Sequence, residues 1–142
     1  MKHNRSVISR IIYPSVLVII LEKKGAIITD KTIANNKPDL ILMDKVKKEA
    51  VIIDLAHPLD HNLQKTFSEK KRKYIELAEE IKEMWSLERV ELLPIVVSTN
   101  GLVPIQQPQE LRKRNIPLYV LRSIQRSVIL ETCRIIRKVC NL

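Results

Sequence analysis

Two aspartates and one lysine are the residues of this chain whose types and spacing are best suited to chemistry. Asp39 opens the apolar run Leu40-Ile41-Leu42, and Asp54 lies inside Ala50-Val51-Ile52-Ile53-Asp54-Leu55-Ala56. A charge in so apolar a strand is costly unless it is paired or binds a metal ion. Strand alternation puts Asp54 on the face of Ile52 and Ala56, with Ile53 and Leu55 on the other. A hairpin across the polar insert Asp44 to Glu49 would bring the start of the first run beside the end of the second, making Asp39 and Asp54 neighbours. Two carboxylates with one backbone carbonyl form a hard, all-oxygen site suited to Mg²⁺. Each Asp taken alone reads more readily as a strand terminator or an acceptor of a loop hydrogen bond.

Lys70 is the third element. Phe67, Tyr74, Leu77, Ala78, Ile81, Met84 and Trp85 recur at three- and four-residue spacing and define one apolar helix stripe. Lys70 falls inside that stripe, Lys71 and Lys73 flank it, and Arg72 points away. An ammonium facing a sheet needs an anionic partner. The two strand carboxylates, or a phosphate held by them, would supply one; the competing reading is a lysine that snorkels from the helix to water.

The elements that must position these residues are strands at Ser15–Leu21, Asp39–Met43, Ala50–Ala56 and Arg89–Ser98, with Ala26–Thr29 as a short further strand. A helix is expected from Leu63 or Gln64 to Trp85, a loop over Thr99–Gln109, a helical turn over Glu110–Arg114, a short strand at Leu118–Leu121 and a last helix over Ser123–Val139. Strands apolar on both faces and separated by helices imply an α/β fold, a central mixed sheet of four to five strands flanked by helices. The last helix carries a wide apolar face (Ile124, Val128, Ile129, Ile135, Ile136, Val139, Cys140). Arg126, Arg134, Arg137 and Lys138 lie opposite, more readily a solvated side than a DNA-contacting one.

Composition narrows the partners. The chain has 142 residues, 45% of them hydrophobic, and a net charge of +9 from 25 Lys+Arg against 16 Asp+Glu. It is long enough for a real core, and its charge favours a polyanion such as nucleic acid. Two cysteines, Cys133 and Cys140, share a helix face two turns apart and read as buried free thiols in a reducing compartment. No Cys/His cluster suggests zinc, and the only glycines, Gly25 and Gly101, make no phosphate-cradling loop. The run Ile11–Leu21 follows Lys2, His3, Arg5 and Arg10 in the manner of a secretory signal. It is interrupted by Pro14, closed by Glu22-Lys23-Lys24, and too short to span a bilayer, so a core strand or helix is the better reading and no membrane is expected. His57 and His61 flank Pro58-Leu59-Asp60 and are expected to shape a loop, and Ser98-Thr99-Asn100-Gly101 reads as a turn.

An ordered set of strings carries a family resemblance: Ile28-Thr29-Asp30, Asn36-Lys37-Pro38-Asp39, Ile53-Asp54-Leu55-Ala56-His57-Pro58, Glu69-Lys70 with Lys73-Tyr74, Met84-Trp85, and Ile129-Leu130-Glu131-Thr132-Cys133-Arg134-Ile135-Ile136-Arg137. Residues 22–142 resemble the restriction-enzyme-like endonuclease region at the C-terminus of reverse-transcriptase proteins of non-LTR retrotransposons. The pattern is that of PD-(D/E)xK nucleases, in the variant with Ala56 at the usual lysine position. The resemblance implies a Mg²⁺- or Mn²⁺-dependent nickase of target DNA, acting inside the cell and in the nucleus. It implies Asp39, Asp54, Lys70 and Tyr74 as catalytic residues. The ion would be held by Asp39, Asp54 and the Leu55 backbone carbonyl, with Asp30 a further acidic candidate. Element RNA would be a partner through a reverse-transcriptase domain that these residues do not include. Residues 1–21 do not match the pattern, so the family's N-terminal helix is expected to be short or lost. The alternative is a non-catalytic nucleic-acid-binding remnant of such an element.

Overall fold

The structure, a computed structural model, describes residues 7–13, 16–21, 29 and 31–141, the first two stretches through their backbone. The class is α/β with a mixed sheet and helices. The strands are β1 (Val7–Tyr13), β2 (Val16–Leu21), β3 (Leu40–Asp44), β4 (Glu49–Ala56) and β5 (Arg89–Val96), hydrogen-bonded in that order. The first four run antiparallel to their neighbours. At the two ends of the β4/β5 pair, Glu88 N–H donates to the Lys48 carbonyl (2.7 Å) and Val97 N–H to the Ala56 carbonyl (3.0 Å). Both bonds advance in the same direction along both strands, so this pair is parallel. A parallel pair needs a crossover, here α1 (Leu63–Lys73) and α2 (Ile75–Met84). A short α3 (Gln107–Lys113) and a long α4 (Leu118–Cys140) follow.

The chain divides into two compact units: Met1–Asp54 with Glu69–Pro94, and Leu55–Ser68 with Ile95–Leu142. In the first, the β3/β4 register pairs Ile41 with Ile52 and Met43 with Ala50, which places these four side chains on one face. Tyr74, Leu77, Ala78 and Ile81 of the helical crossover cluster with them, together with Ile33 and Leu87. Burying a side chain such as Ile41, Ile52 or Leu77 is worth roughly 1.5–3 kcal/mol, so this cluster fixes α2 on the sheet.

In the second unit, the Ser98–Gly101 turn is closed by Gly101 N–H to the Ser98 carbonyl (2.9 Å). Gly101 has φ +86, the left-handed region that glycine enters without strain. The Gln125 side chain donates to the Gly101 carbonyl (2.8 Å) and the Asn100 amide to Asp60 (2.8 Å), tying α4 and the 60s loop to this turn. Leu111 and Leu121 are buried.

Several expectations need correction. The Leu63–Trp85 helix is two helices, broken at Tyr74 (φ −108, ψ 15). The charges explain where it breaks. Ending α1 at Lys73 puts Lys70, Lys71, Arg72 and Lys73 over its C-terminal carbonyls and Glu76 in the first turn of α2, each favourable to a helix dipole. Leu118–Leu121 is not a strand but the first turn of α4, which starts directly after Pro117; a four-residue apolar run has no period to tell the two apart. Helix α3 begins at Gln107, inside the expected loop, because Pro108 fits the first helical turn. Strand β5 ends at Val96, whose N–H is taken by the Gln107 side chain (3.0 Å). Cys133 and Cys140 are free, as expected, but exposed. The apolar face of α4 is likewise open toward its end, with Ile129, Ile135, Ile136 and Val139 exposed.

Of the Ile11–Leu21 run, Ile11–Tyr13 lies in β1 and Val16–Leu21 in β2, so the strand reading holds there; Pro14 and Ser15 lie outside the described residues. Ala26–Ile28 of the short expected strand lies outside the described residues, and Thr29 is not in a strand. No helix among the described residues is long and apolar enough to cross a membrane.

Candidate active site

Asp54 is placed by strand alternation. On β4 it follows Ala50 and Ile52 at two-residue steps, and both of those pack into the core beneath α2. Its side chain therefore turns to the helical face, where the residue is only 5% exposed. There it meets Lys70, whose Nζ donates to Asp54 Oδ2 at 2.6 Å. The lysine side chain keeps a quarter of its surface in water. The inward reading of Lys70 is therefore the one the structure shows, and the ammonium is the counter-charge that the buried carboxylate requires.

Asp39 arrives from the other strand. The antiparallel register pairs Leu40 with Ile53, so Asp39, one residue before β3, comes at the strand end that carries Asp54 on the neighbouring strand. Residue 39 is exposed, while Pro38 behind it is fully buried and anchors the approach to the strand. The spatial proximity is also felt by Tyr74. Its hydroxyl is pushed above the usual tyrosine range first by burial, then by the negative charges of Asp54 and Asp39. Tyr74 is 2% exposed, and its hydroxyl donates to the Lys37 carbonyl at 3.1 Å. At neutral pH it is thus a proton donor that holds its proton. Lys73 Nζ lies 4.9 Å from the centre of the same ring, close enough for a cation–π contact.

Four of the sequence-predicted residues, Asp39, Asp54, Lys70 and Tyr74, are thus gathered within the first unit. The Leu55 carbonyl follows Asp54 directly along β4. Asp30 lies outside the described residues. A Mg²⁺ or Mn²⁺ ion fits this donor chemistry: two carboxylates and a carbonyl are hard oxygens, and such ions retain several waters to complete their shell. Among the described residues there is no group of three or more His, Cys, Asp or Glu side chains able to hold a metal ion.

The link from Tyr74 to Lys37 was not visible in the sequence. The signal for it was a tyrosine inside an apolar stripe, since a buried phenol needs a hydrogen-bond partner; which partner could not be read. His57 Nδ1 lies 3.3 Å from the Val97 carbonyl, and His61 is exposed in a short 3₁₀ helix, Asp60–Asn62, where a loop was expected. Ser98 is fully buried and accepts from Leu102 N–H (3.0 Å), which makes it part of a turn rather than a nucleophile. The second unit has its own apolar groove of about 680 Å³, lined by Leu55, His57, Tyr119, Ile124, Val128 and Ile135 among others. Comparison with models of known families, with characterised proteins and with solved structures found no match.

Proposed function

We propose that the chain is a metal-dependent DNA endonuclease domain of retrotransposon origin, a PD-(D/E)xK-type nickase built on a sheet of four to five strands. One observation carries this reading. A carboxylate buried to 5% exposure, Asp54, stands on a strand against a helix lysine at 2.6 Å, and a second acid, Asp39, directly precedes the strand paired with it. Nothing in a purely structural sheet calls for two acids side by side at one strand end, since like charges directly opposite destabilise a pair.

Asp39, Asp54 and the Leu55 carbonyl would hold Mg²⁺ or Mn²⁺. The ion, when bound, polarises a phosphate and makes a bound water a better nucleophile. Lys70 then has two anionic partners within reach, Asp54 and the phosphate, and its ammonium orients the water or offsets charge developing on the phosphate oxygens. The net charge of +9 draws the DNA backbone to the protein. In that setting the work is done in the nucleus, and element RNA is a partner through a reverse-transcriptase domain that these residues do not include.

The test is nicking of supercoiled plasmid in Mg²⁺ or Mn²⁺. Asp54→Asn should abolish nicking and leave DNA binding intact or tighter, because one negative charge near the phosphate is gone. Lys70→Met should also abolish it, and Lys71→Met should not. Three variants that nick like the wild type would refute the assignment. The second reading, a non-catalytic DNA-binding remnant, draws on the small number of acidic ligands among the described residues. It wins if purified wild type binds DNA but never nicks with either ion.

A further inference from the structure

We infer that Tyr74 is a positioning residue whose hydroxyl fixes the approach to β3 so that Asp39 is presented beside Asp54. This deepens the proposed function and rests on it.

The segment from Ile33 to Asp39 precedes β3 and lies outside any strand or helix. A carboxylate at the end of such a segment is placed only as well as the segment is tied down. Two ties lie just before it: Pro38 is fully buried, and the Lys37 carbonyl accepts the Tyr74 hydroxyl at 3.1 Å. The donor side of that bond is rigid. Tyr74 is itself 2% exposed and belongs to the core cluster with Ile41, Ile52 and Leu77.

The break in the helical crossover falls on this same residue. Tyr74 leaves helical geometry (φ −108, ψ 15) and its carbonyl accepts the first bond of α2, from Ala78 N–H at 2.9 Å. Lys70, which holds Asp54, lies one turn before the break. One short stretch of chain therefore controls both carboxylates: Lys70 reaches Asp54 on β4, and Tyr74 reaches the backbone two residues ahead of Asp39.

Tyr74→Phe removes the hydroxyl and keeps the ring, and Tyr119→Phe, at an exposed position of α4, is the control. Three readouts use the full chain: Mn²⁺ binding by calorimetry, plasmid nicking as a function of Mn²⁺, and amide hydrogen exchange over residues 33–41. Expected for Tyr74→Phe are Mn²⁺ affinity lower by about tenfold, the usual scale for loss of a group that orients a metal ligand, and faster exchange in 33–41. The Mn²⁺ concentration that gives half-maximal nicking should rise to match. Tyr119→Phe should change none of these. Unaltered Mn²⁺ affinity in Tyr74→Phe overturns the inference and leaves the proposed function standing. A fall in the saturated rate with unaltered affinity also overturns it, since the hydroxyl would then act in the chemistry. Wild type that takes up no Mn²⁺ overturns the proposed function, and with it the claim that Tyr74 serves a metal site.

Discussion

Replacing Lys70 by Met deletes an ammonium and keeps most of the aliphatic stem. In the structure that ammonium lies 2.6 Å from Asp54 Oδ2, and the carboxylate side chain is 8% exposed against 25% for the lysine. At an effective dielectric of about 20 the gross attraction at this distance is roughly 6 kcal/mol, most of it offset by the cost of taking both charges out of water. The loss that matters is asymmetric. Without Lys70 the buried carboxylate is left with an uncompensated charge, a change that typically costs about 3–5 kcal/mol. Since Lys70 keeps partial contact with water, the lower end, about 3 kcal/mol, is the expected destabilisation of Lys70→Met. Asp54→Asn leaves a neutral amide and a lysine free to swing to solvent, and should cost only about 1 kcal/mol. The double variant removes the stranded charge and should be more stable than Lys70→Met alone. Urea unfolding at pH 7 without divalent ions measures all three, and the Lys70→Met midpoint should fall by on the order of 1–2 M. Adding Mn²⁺ should restore Lys70→Met more than it stabilises wild type, because the cation replaces the missing ammonium. A Lys70→Met midpoint equal to wild type, or a double variant no more stable than Lys70→Met, would refute the buried pair as the organiser of this site.

DNA binding should be electrostatic and weakly sequence-specific, so the affinity should drop steeply between about 50 and 200 mM salt, and a flat titration would count against the basic surface as its footprint. Gly101→Ala should destabilise the protein by about 1–2 kcal/mol in thermal unfolding, because an L-residue is strained in the left-handed region. A Cβ built at Gly101 would also lie 2.6 Å from the Ile129 Cδ1 atom, a flexible tip that can move, so the backbone term should dominate. Melting at the wild-type temperature would mean that the turn relaxes to another geometry.

Much of the positioning of the acids was legible in sequence because it depends on a period of two and a short connection. Asp54 shares a face with Ala50 and Ile52 as a matter of strand geometry, and the four-residue turn between β3 and β4 leaves little freedom in which residue faces it. The stripe of Phe67, Leu77, Ala78 and Ile81 gave the buried face of the crossover in the same way, and Lys70 within it was left between an anionic partner and water. The break at Tyr74 was not legible. No Pro or Gly marks it, and it arises from sorting of charge about two helix ends and from the reach of one hydroxyl. The first turn of α4 was misread for a related reason, since Leu118-Tyr119-Val120-Leu121 is apolar at every position and carries no period.

What the sequence by itself determined is therefore local: which residues of each strand and helix share a face, and that two acids and a lysine of this chain fall where a hairpin and a helix stripe can bring them near one another. Only the tertiary structure decided that a tyrosine on the crossover grips the backbone at Lys37, that the cysteines of α4 face water, and that Lys70 bonds Asp54 instead of reaching for solvent. Each of these depends on which groups meet across 16 to 37 residues of chain or on how many neighbours an element acquires, and a one-dimensional pattern records neither.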